Sequence, residues 1–225
     1  MQKRNSLKTV NIKESTVEYY FPPWKARHYI ENNNILNDAD ICTPIILGVY
    51  TINDVTCIEV EKNTHDDWFT LGKDIIGPVT DQLIEKLHSC SVDRQFNEEF
   101  IKIRAPKFKY IDKIIGGDYV LNHMDISSVN IFADDMLIDF EDAVMAPREY
   151  DYTYRFFDPY TLRNVDEFDE YCVRYNLDIE KSLYIQLYIC EMIFHFVETL
   201  GYHRPSIPQT RVYYDYVNKR LFDRQ

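Results

Sequence analysis

The most informative stretch of the chain reads Leu-Asn-His-Met-Asp-Ile-Ser-Ser-Val-Asn-Ile-Phe over residues 121–132 and Met-Leu-Ile-Asp-Phe-Glu-Asp-Ala over residues 136–143. Within it, two short apolar runs, Ile131-Phe132 and Leu137-Ile138, flank the polar tripeptide Ala133-Asp134-Asp135. Apolar runs on either side of a short polar turn are typical of a β-hairpin. The pattern therefore predicts a loop that leads into a hairpin.

This hairpin would bring oxygen-bearing side chains to one point. Asn130 immediately precedes the first predicted strand, Asp139 ends the second, and Asp125 stands five residues before Asn130 on the loop. Amide and carboxylate oxygens suit a hard cation such as Mg²⁺, which keeps several water ligands and binds substrate phosphates. Because neighbouring carboxylates repel one another in an already acidic chain, we expect a cation at this point.

The pattern His-x-Asp-x-x-x-x-Asn followed by Ile-Asp-Phe-Glu-Asp-Ala resembles the catalytic signature of the aminoglycoside phosphotransferase family, which comprises small-molecule kinases with a protein-kinase-like fold. The resemblance implies that Asp125 is the catalytic base for the acceptor hydroxyl and that Asn130 and Asp139 hold Mg²⁺. It implies that His123 supports the catalytic loop and that Asp151 closes the segment and caps the next helix. ATP, or another nucleoside triphosphate, would be the phosphate donor.

The fold that this resemblance implies is α+β and two-lobed. A small antiparallel β lobe on the nucleotide side would span residues 1–62, and a larger, mainly helical lobe would span residues 63–225. The local patterns agree, because β-prone segments dominate the first sixty residues and helical periodicity dominates the rest. The predicted strands are residues 9–12, 16–21, 45–50 and 55–60, with a hairpin connection at residues 13–15 and a turn at Asn53-Asp54. The predicted helices are 24–36, 78–89, 96–103, 167–175 and 179–200, and the last is apolar on nearly all sides, which predicts that it is buried.

A small molecule is favoured over a protein as the acceptor. A protein kinase follows its metal-binding aspartate with Phe-Gly and a long activation segment. Here Asp139 is followed by Phe140-Glu141, and the sequence Ala-Pro-Arg-Glu begins only seven residues after it, at Ala146. The chain therefore has no room for a peptide-docking loop, and we expect a small-molecule hydroxyl as the substrate.

The sequence identifies the nucleotide-binding residues less clearly than the catalytic ones. The first glycine is Gly48, so no glycine-rich loop precedes the helix predicted at residues 24–36. Lys25 or Lys13, either of them paired with Glu31, is the candidate lysine for the phosphates. A short first lobe without glycines leaves open an alternative, a pseudokinase or ligand-binding module without phosphotransfer. A carboxylate-metal hydrolase using His123, Asp125 and Asp139 is less favoured, because no further ligand stands at a recognisable spacing.

The acceptor-binding residues stay open as well. A group of acidic residues after Asp139 would favour a cationic amino sugar or amino alcohol, although the same acids would also suit a solvated helix face. This group comprises Asp158, Asp166, Glu167, Asp169 and Glu170. The sequence does not identify the acceptor itself.

Charge and composition limit the partners and the compartment. The 25 basic and 37 acidic residues give a net charge of −12, which repels nucleic acid and anionic membranes. Five cysteines without a Cys-x-x-Cys pair, no signal peptide and no uncharged 18-residue segment indicate a cytoplasmic protein with reduced thiols and no membrane anchor. The oligomeric state is left open.

Overall fold

The computed structural model describes residues 8–161, 163–200 and 207–223. In these ranges the chain is α+β and two-lobed, with a small antiparallel sheet followed by a mainly helical part. In chain order the elements are β1 (Thr9–Ile12), β2 (Thr16–Phe21), α1 (Pro23–Asp38), β3 (Ile46–Ile52), β4 (Val55–Glu61), α2 (Pro78–Ser89), α3 (Glu98–Arg104), β5 (Tyr119–Asn122), β6 (Val144–Pro147), α4 (Glu149–Phe156), α5 (Phe168–Arg174), α6 (Ile179–Leu200) and α7 (Ile207–Phe222).

The four strands of the small lobe form one antiparallel sheet in the order β1-β2-β4-β3. The predicted hairpin around residues 13–15 is confirmed, with Ile12 opposite Val17. The predicted turn between β3 and β4 is also confirmed. Asn53 and Asp54 both adopt a left-handed backbone, with φ of 47° and 62°. Two consecutive left-handed residues are the requirement of the two-residue hairpin turn whose twist matches that of the strands.

Helix α1 packs on one face of this sheet and links it to the rest of the molecule. Tyr19 and Phe21 lie on the same face because side chains alternate along a strand. Both rings contact Tyr29 of α1, with centroid separations of 5.5 and 5.6 Å. Tyr29 in turn contacts Phe140 at 4.8 Å, and all four side chains are buried. The sheet, α1 and the residue that follows Asp139 therefore share one aromatic core.

The larger lobe surrounds helix α6. The first half of α6 is buried as its apolar sequence predicts, with Leu183, Leu187 and Tyr188 nearly inaccessible to solvent. Towards its end, however, Phe196 and Val197 are only half-buried. The prediction of a helix that is buried along its whole length is therefore wrong for the last turns, which border a cavity described below.

The predicted hairpin at residues 131–138 is present as a short one, with Ile131 opposite Leu137. Ile138 N donates to Asn130 O and Phe132 N donates to Met136 O, both at 3.0 Å. Neighbouring segments bind its outward-facing backbone groups, because Trp68 N donates to Ile131 O and Leu137 N donates to Cys42 O, both at 2.8 Å, and Trp68 Nε1 donates to Phe132 O at 2.9 Å. A second antiparallel pair of this lobe, β5 with β6, was not predicted from the sequence. Trp68 thus anchors the segment between Asn130 and Asp139.

No helix within the described ranges combines the length and the low polarity that a membrane span requires. The division of the chain at residue 62 stays a prediction. The sheet ends at Glu61 and the next helix, α2, begins at Pro78.

Candidate active site

The loop that carries Asp125 is fixed by the buried carboxylate of Asp151. The backbone N–H groups of His123 and Met124 donate to the two carboxylate oxygens at 2.6 and 3.0 Å. Asp151 N in turn donates to Asn122 Oδ1 at 3.0 Å. Burial raises the pKa of Asp151 to about 7, although the two N–H donors oppose that shift. The sequence-based role differs from this arrangement. Asp151 lies inside α4, whose N-cap residue is Arg148, and it holds the loop instead of capping the helix.

His123 connects this loop to the residue before Asp139. Its fully buried ring has Nε2 2.8 Å from Ile138 O and Nδ1 3.2 Å from Asp125 N. A neutral ring with its proton on Nε2 satisfies both contacts, because it donates to the carbonyl and accepts from the amide. Burial lowers the pKa of His123 to about 4, so the ring is neutral at physiological pH. His123 thus orients the backbone on both sides of the site.

Asn130 and Asp139 lie close to each other through the same backbone connections. Ile138 N donates to Asn130 O at 3.0 Å, which places the residues before and after this bond side by side. The Asn130 side chain donates from Nδ2 to Asp125 O at 2.8 Å. Asp139 has a φ of 65°, a left-handed conformation that is uncommon outside glycine and occurs most often at turns and functional sites. The structure therefore brings Asp125, Asn130 and Asp139 together.

Two lysines from the small lobe contact the carboxylates on this side of the site. The Lys8 ammonium forms ion pairs with Asp139 and with Glu141, the latter at 3.2 Å. The Lys25 ammonium lies 3.3 Å from Asp142 and 3.7 Å from Glu141. Burial lowers the pKa of Lys8, and the neighbouring Glu141 opposes that shift. We call Lys8, Lys25, Asp139, Glu141 and Asp142 the charged cluster.

Arg104 of α3 completes the charge balance on Asp142, with its guanidinium 2.8 Å from the carboxylate. Burial alone would raise the pKa of Asp142, but Arg104 and Lys25 outweigh it and hold the pKa at about 2. Asp142 is therefore ionised at neutral pH, where Arg104 and Lys25 pair with it.

Sequence reasoning assigned no role to Lys8, Glu141, Asp142 or Arg104. The sequence did contain a signal for Glu141 and Asp142, since both lie within three residues of Asp139 in the quoted motif. Lys8 lies far from the motif in sequence and reaches it only through the fold.

The donor atoms of the charged cluster fit a divalent cation. Glu141 Oε2 is buried and has no hydrogen-bond partner among the described residues. Because Asn130 uses its Nδ2 as a donor, its Oδ1 is the atom that can face a cation. In the described part of the chain, no three His, Cys, Asp or Glu side chains converge into a complete metal site. Such a partial set agrees with Mg²⁺, which takes its remaining ligands from water and substrate phosphates.

The predicted pairing of a lysine with Glu31 is not what the structure contains. Glu31 forms its ion pair with Arg94. Lys25 stands six residues before Glu31, which is about 240° around a helix, so the two side chains leave α1 in different directions. Lys13 lies on the sheet face opposite α1, 2.5 Å from Glu18 and 3.6 Å from Glu59. Of the two predicted lysines, Lys25 reaches the charged cluster and Lys13 does not.

The acidic residues considered for a cationic acceptor have other surroundings. Asp158 is fully buried and accepts hydrogen bonds from Ser128 N, Tyr160 N and Thr161 Oγ1. Asp169 pairs with Arg220 at 2.9 and 3.0 Å. Neither residue, nor any of the other three acids of that group, borders the cavity that contains Asp125.

That cavity has a volume of about 740 Å³. It lies between α1, α3 and α6, and both Asp125 and Asp139 border it. Among the described residues, no member of strands β1 to β4 lines it. The cavity therefore lies between the helix of the small lobe and helices of the larger lobe.

Comparison with known proteins gives matches in structure only. No protein-family model matches the chain, and neither does any curated protein sequence. An aminoglycoside phosphotransferase from Streptomyces rimosus, solved with ADP and streptomycin, superposes with a TM-score of 0.58 at 12% identity, over 79% of this chain and 86% of that one. A thermostable aminoglycoside phosphotransferase mutant, solved with AMP-PNP and hygromycin B, gives a TM-score of 0.58 at 12% identity over 98% and 95% of the two chains.

A choline/ethanolamine kinase family protein from Mesorhizobium loti gives a TM-score of 0.60 at 12% identity, over 96% of this chain and 84% of that one. At this level of identity the similarity concerns the fold. This chain has the two-lobed, protein-kinase-like fold of the aminoglycoside phosphotransferases.

Proposed function

We propose that this chain transfers the γ-phosphoryl group of ATP, in the presence of Mg²⁺, to a hydroxyl group of a small molecule. One observation carries the proposal. Asp125 and Asp139 border the same cavity, and Asn130 and His123 hold their backbones side by side. A phosphate donor at Asp139 and an acceptor in the cavity would meet at Asp125.

Asp125 is the group that accepts the proton of the attacking hydroxyl. Its backbone is fixed by the hydrogen bond from Asp125 N to His123, and the Asp151 carboxylate fixes the two residues before it. Phosphoryl transfer needs little covalent work from the protein, so positioning and charge neutralisation provide most of the acceleration. A loop fixed by buried hydrogen bonds suits that task.

Asn130, Asp139 and Glu141 are the residues that would hold Mg²⁺, and the ion would neutralise charge on the donor phosphates. Lys8 and Lys25 are the cations nearest to these residues. We propose both lysines as phosphate ligands, in place of Lys13. When the nucleotide binds, its oxygens would take over part of the pairing that Asp139 and Glu141 now supply.

The decisive test measures phosphate transfer with and without Asp125. Purified protein is incubated with Mg·ATP and a panel of hydroxylated compounds, and the phosphorylated product is detected by mass spectrometry. We expect Asp125→Asn to reduce the rate by about 10² to 10⁴, the usual contribution of a general base. Asp135→Asn is the matched control, because Asp135 is exposed in the 133–135 turn and asparagine accepts its left-handed φ of 61°. Equal rates in Asp125→Asn and the control would refute the assignment of the base.

A second candidate function is a binding module of the same fold that does not transfer phosphate. The observation in its favour is the Lys8 ammonium, which lies on Asp139 and Glu141, where a cation would have to bind. Calorimetric titration with Mg·ATP separates the two candidates. A measurable affinity that requires Mg²⁺ favours the kinase, whereas no binding of any nucleoside triphosphate favours the binding module.

The cellular setting of this activity also stays a prediction. The net charge of −12 argues against nucleic acid as a partner. A cytoplasmic location would supply the ATP that the proposed reaction consumes.

A further inference from the structure

Part of the cavity wall is apolar. Helix α3 contributes Phe100 and Ile103, and the last turns of α6 contribute Met192, Phe196 and Val197. Ile103 is 67% exposed, and the α6 side chains are half-buried. Phe100, Met192 and Val197 pack against the hydrophobic core, and all five residues line the same cavity. An apolar concave surface next to a few polar groups is typical of a small-molecule site.

The mouth of the cavity adds another large apolar side chain from the small lobe. Trp24, at the start of α1, is 50% exposed and lines the same cavity. Exposed Trp24 and Ile103, with the half-buried Phe100 and Phe196, give this cavity apolar surface that faces solvent. A ligand with an apolar body would gain free energy by covering this surface, in proportion to the area that it removes from water.

The charged groups of the cavity do not favour an anionic acceptor. Six carboxylates line the cavity, against two lysines and two arginines. The cations are already paired. Arg104 forms an ion pair with Asp142, and its guanidinium lies 3.8 Å from the centroid of the Phe100 ring. Arg94 forms an ion pair with Glu31. The acceptor that fits best therefore carries a neutral or positively charged head with a hydroxyl group.

A polyhydroxylated or polycationic molecule would fit the apolar part of the wall poorly. A hydroxyl or ammonium group that is pressed against apolar side chains loses its hydration without gaining a hydrogen bond. A cavity of about 740 Å³ that is lined both by carboxylates and by aliphatic and aromatic groups matches a molecule with a polar head and an apolar body.

We propose that the acceptor is an amphipathic alcohol. Its hydroxyl reaches Asp125, and its apolar body lies against α3 and the last turns of α6. The inference rests on the proposed phosphotransferase function, since it names the substrate class of the same site.

The test uses methyl, butyl and hexyl β-glucosides, which share one set of hydroxyl groups and differ only in the apolar chain. Binding is measured by calorimetry with saturating Mg·AMP-PNP, so that the nucleotide site is filled. Burial of each methylene should tighten binding by roughly three- to fourfold. We expect hexyl glucoside to bind at least 20-fold more tightly than methyl glucoside. Equal affinities across the series, or tighter binding of streptomycin than of hexyl glucoside, would overturn the proposal.

A matched pair of variants locates the apolar contact. Ile103 and Val173 are the penultimate residues of two seven-residue helices, α3 and α5, and they are 67% and 75% exposed. Only Ile103 borders the cavity. We expect Ile103→Asn to reduce the advantage of hexyl over methyl glucoside by at least fivefold, and Val173→Asn to leave it unchanged. The same loss in both variants, or in neither, would show that the alkyl chain does not contact the cavity wall at Ile103 and would overturn the proposal.

Different outcomes would refute the phosphotransferase function and the substrate class. The binding series is repeated with Asp125→Asn, which removes the proposed base and leaves the apolar wall intact. Chain-length-dependent binding without phosphate transfer by the wild type would support the ligand class and refute the kinase. Transfer to methyl and hexyl glucosides at equal kcat/KM would support the kinase and overturn the ligand class. Hexyl glucoside that binds only in the absence of AMP-PNP would assign the cavity to the nucleotide and also overturn it.

Discussion

Two carboxylates on either side of the catalytic loop are held in opposite ways. Asp151 is fully buried, and backbone N–H groups from the adjoining segment bind both of its oxygens. Asp139 has a side chain that is 35% exposed, and its ion-pair partner is a lysine 131 positions away in the sequence. The first carboxylate is bound to the backbone and the second to a side-chain charge.

The difference separates a fixed support from a site that can exchange partners. Backbone donors cannot leave Asp151 without unfolding the loop, and an unpaired buried donor costs about 1–3 kcal/mol. An ammonium on a half-exposed carboxylate contributes little net stability, since solvent screens it. A ligand or cation can therefore replace the Lys8 contact at small cost, whereas nothing can replace the Asp151 contacts.

The largest loss of stability should follow from replacing Asp151, whose carboxylate holds the catalytic loop. Asp151→Ala leaves the N–H groups of His123 and Met124 without acceptors inside the protein. We expect the free energy of unfolding to fall by roughly 3–5 kcal/mol, measured by urea denaturation. Asp215→Ala, at an exposed position of α7, is the control and should change it by less than about 0.5 kcal/mol. If Asp151→Ala lowers the free energy of unfolding by less than about 1 kcal/mol, Asp151 is not held more firmly than Asp139, and the contrast is wrong.

Because the ring of His123 is buried, we also expect the free energy of unfolding to depend on pH. Its pKa is about 4 in the folded chain, against 6.5 for an exposed histidine, so between these values only the unfolded state takes up the proton. His123 therefore contributes stability that is complete above pH 6.5 and is lost as the pH falls to 4. The stability difference between the wild type and His123→Gln should shrink by about 3 kcal/mol over that range.

Taking this difference cancels the contribution of Asp151, which has the opposite sign. Its raised pKa of about 7 makes the folded state hold its proton, so stability falls as the pH rises from about 4 to 7. A wild-type-minus-variant difference that is flat from pH 4 to 6.5 would mean that His123 is protonated equally in both states.

Replacing Asp139, the carboxylate that can exchange partners, should change ligand binding more than stability. Asp139→Asn keeps the size and removes one charge, and Lys8 retains Glu141 as a partner. We expect the unfolding free energy to change by less than about 1 kcal/mol and the Mg²⁺-dependent affinity for ATP to fall at least tenfold. The two measurements are calorimetric titration and urea denaturation of the same preparation. A strongly destabilised variant with unchanged affinity would make Asp139 structural, and the comparison would fail.

The smallest effects should distinguish the two lysines that the sequence proposed. Lys25→Met removes a cation from Glu141 and Asp142 and should weaken Mg·ATP binding several-fold. Lys13→Met removes only a contact on the opposite face of the sheet and should leave the affinity unchanged. Equal effects of the two substitutions would place the phosphates somewhere other than the charged cluster.

The local chemistry of the sequence determined much of this protein. The turn at Asn53-Asp54, the helix start at Pro78 and the apolar periodicity of α6 are short-range signals, and they predicted the elements that form. The spacing from His123 to Asp139 identified the residues that the fold brings together, because one loop and one tight turn connect them. In these cases neighbours in the sequence decide the structure.

The tertiary structure decided what depends on distant segments. The short hairpin at residues 131–138 is held on its outer sides by distant segments, because Trp68 N donates to Ile131 O and Leu137 N donates to Cys42 O. Lys8 reaches Asp139, Glu31 pairs with Arg94, and the last turns of α6 line a cavity instead of a core. Each of these contacts joins residues that are dozens of positions apart in the sequence. Which cation neutralises a carboxylate, and which apolar face stays open, is fixed only when the two lobes pack together.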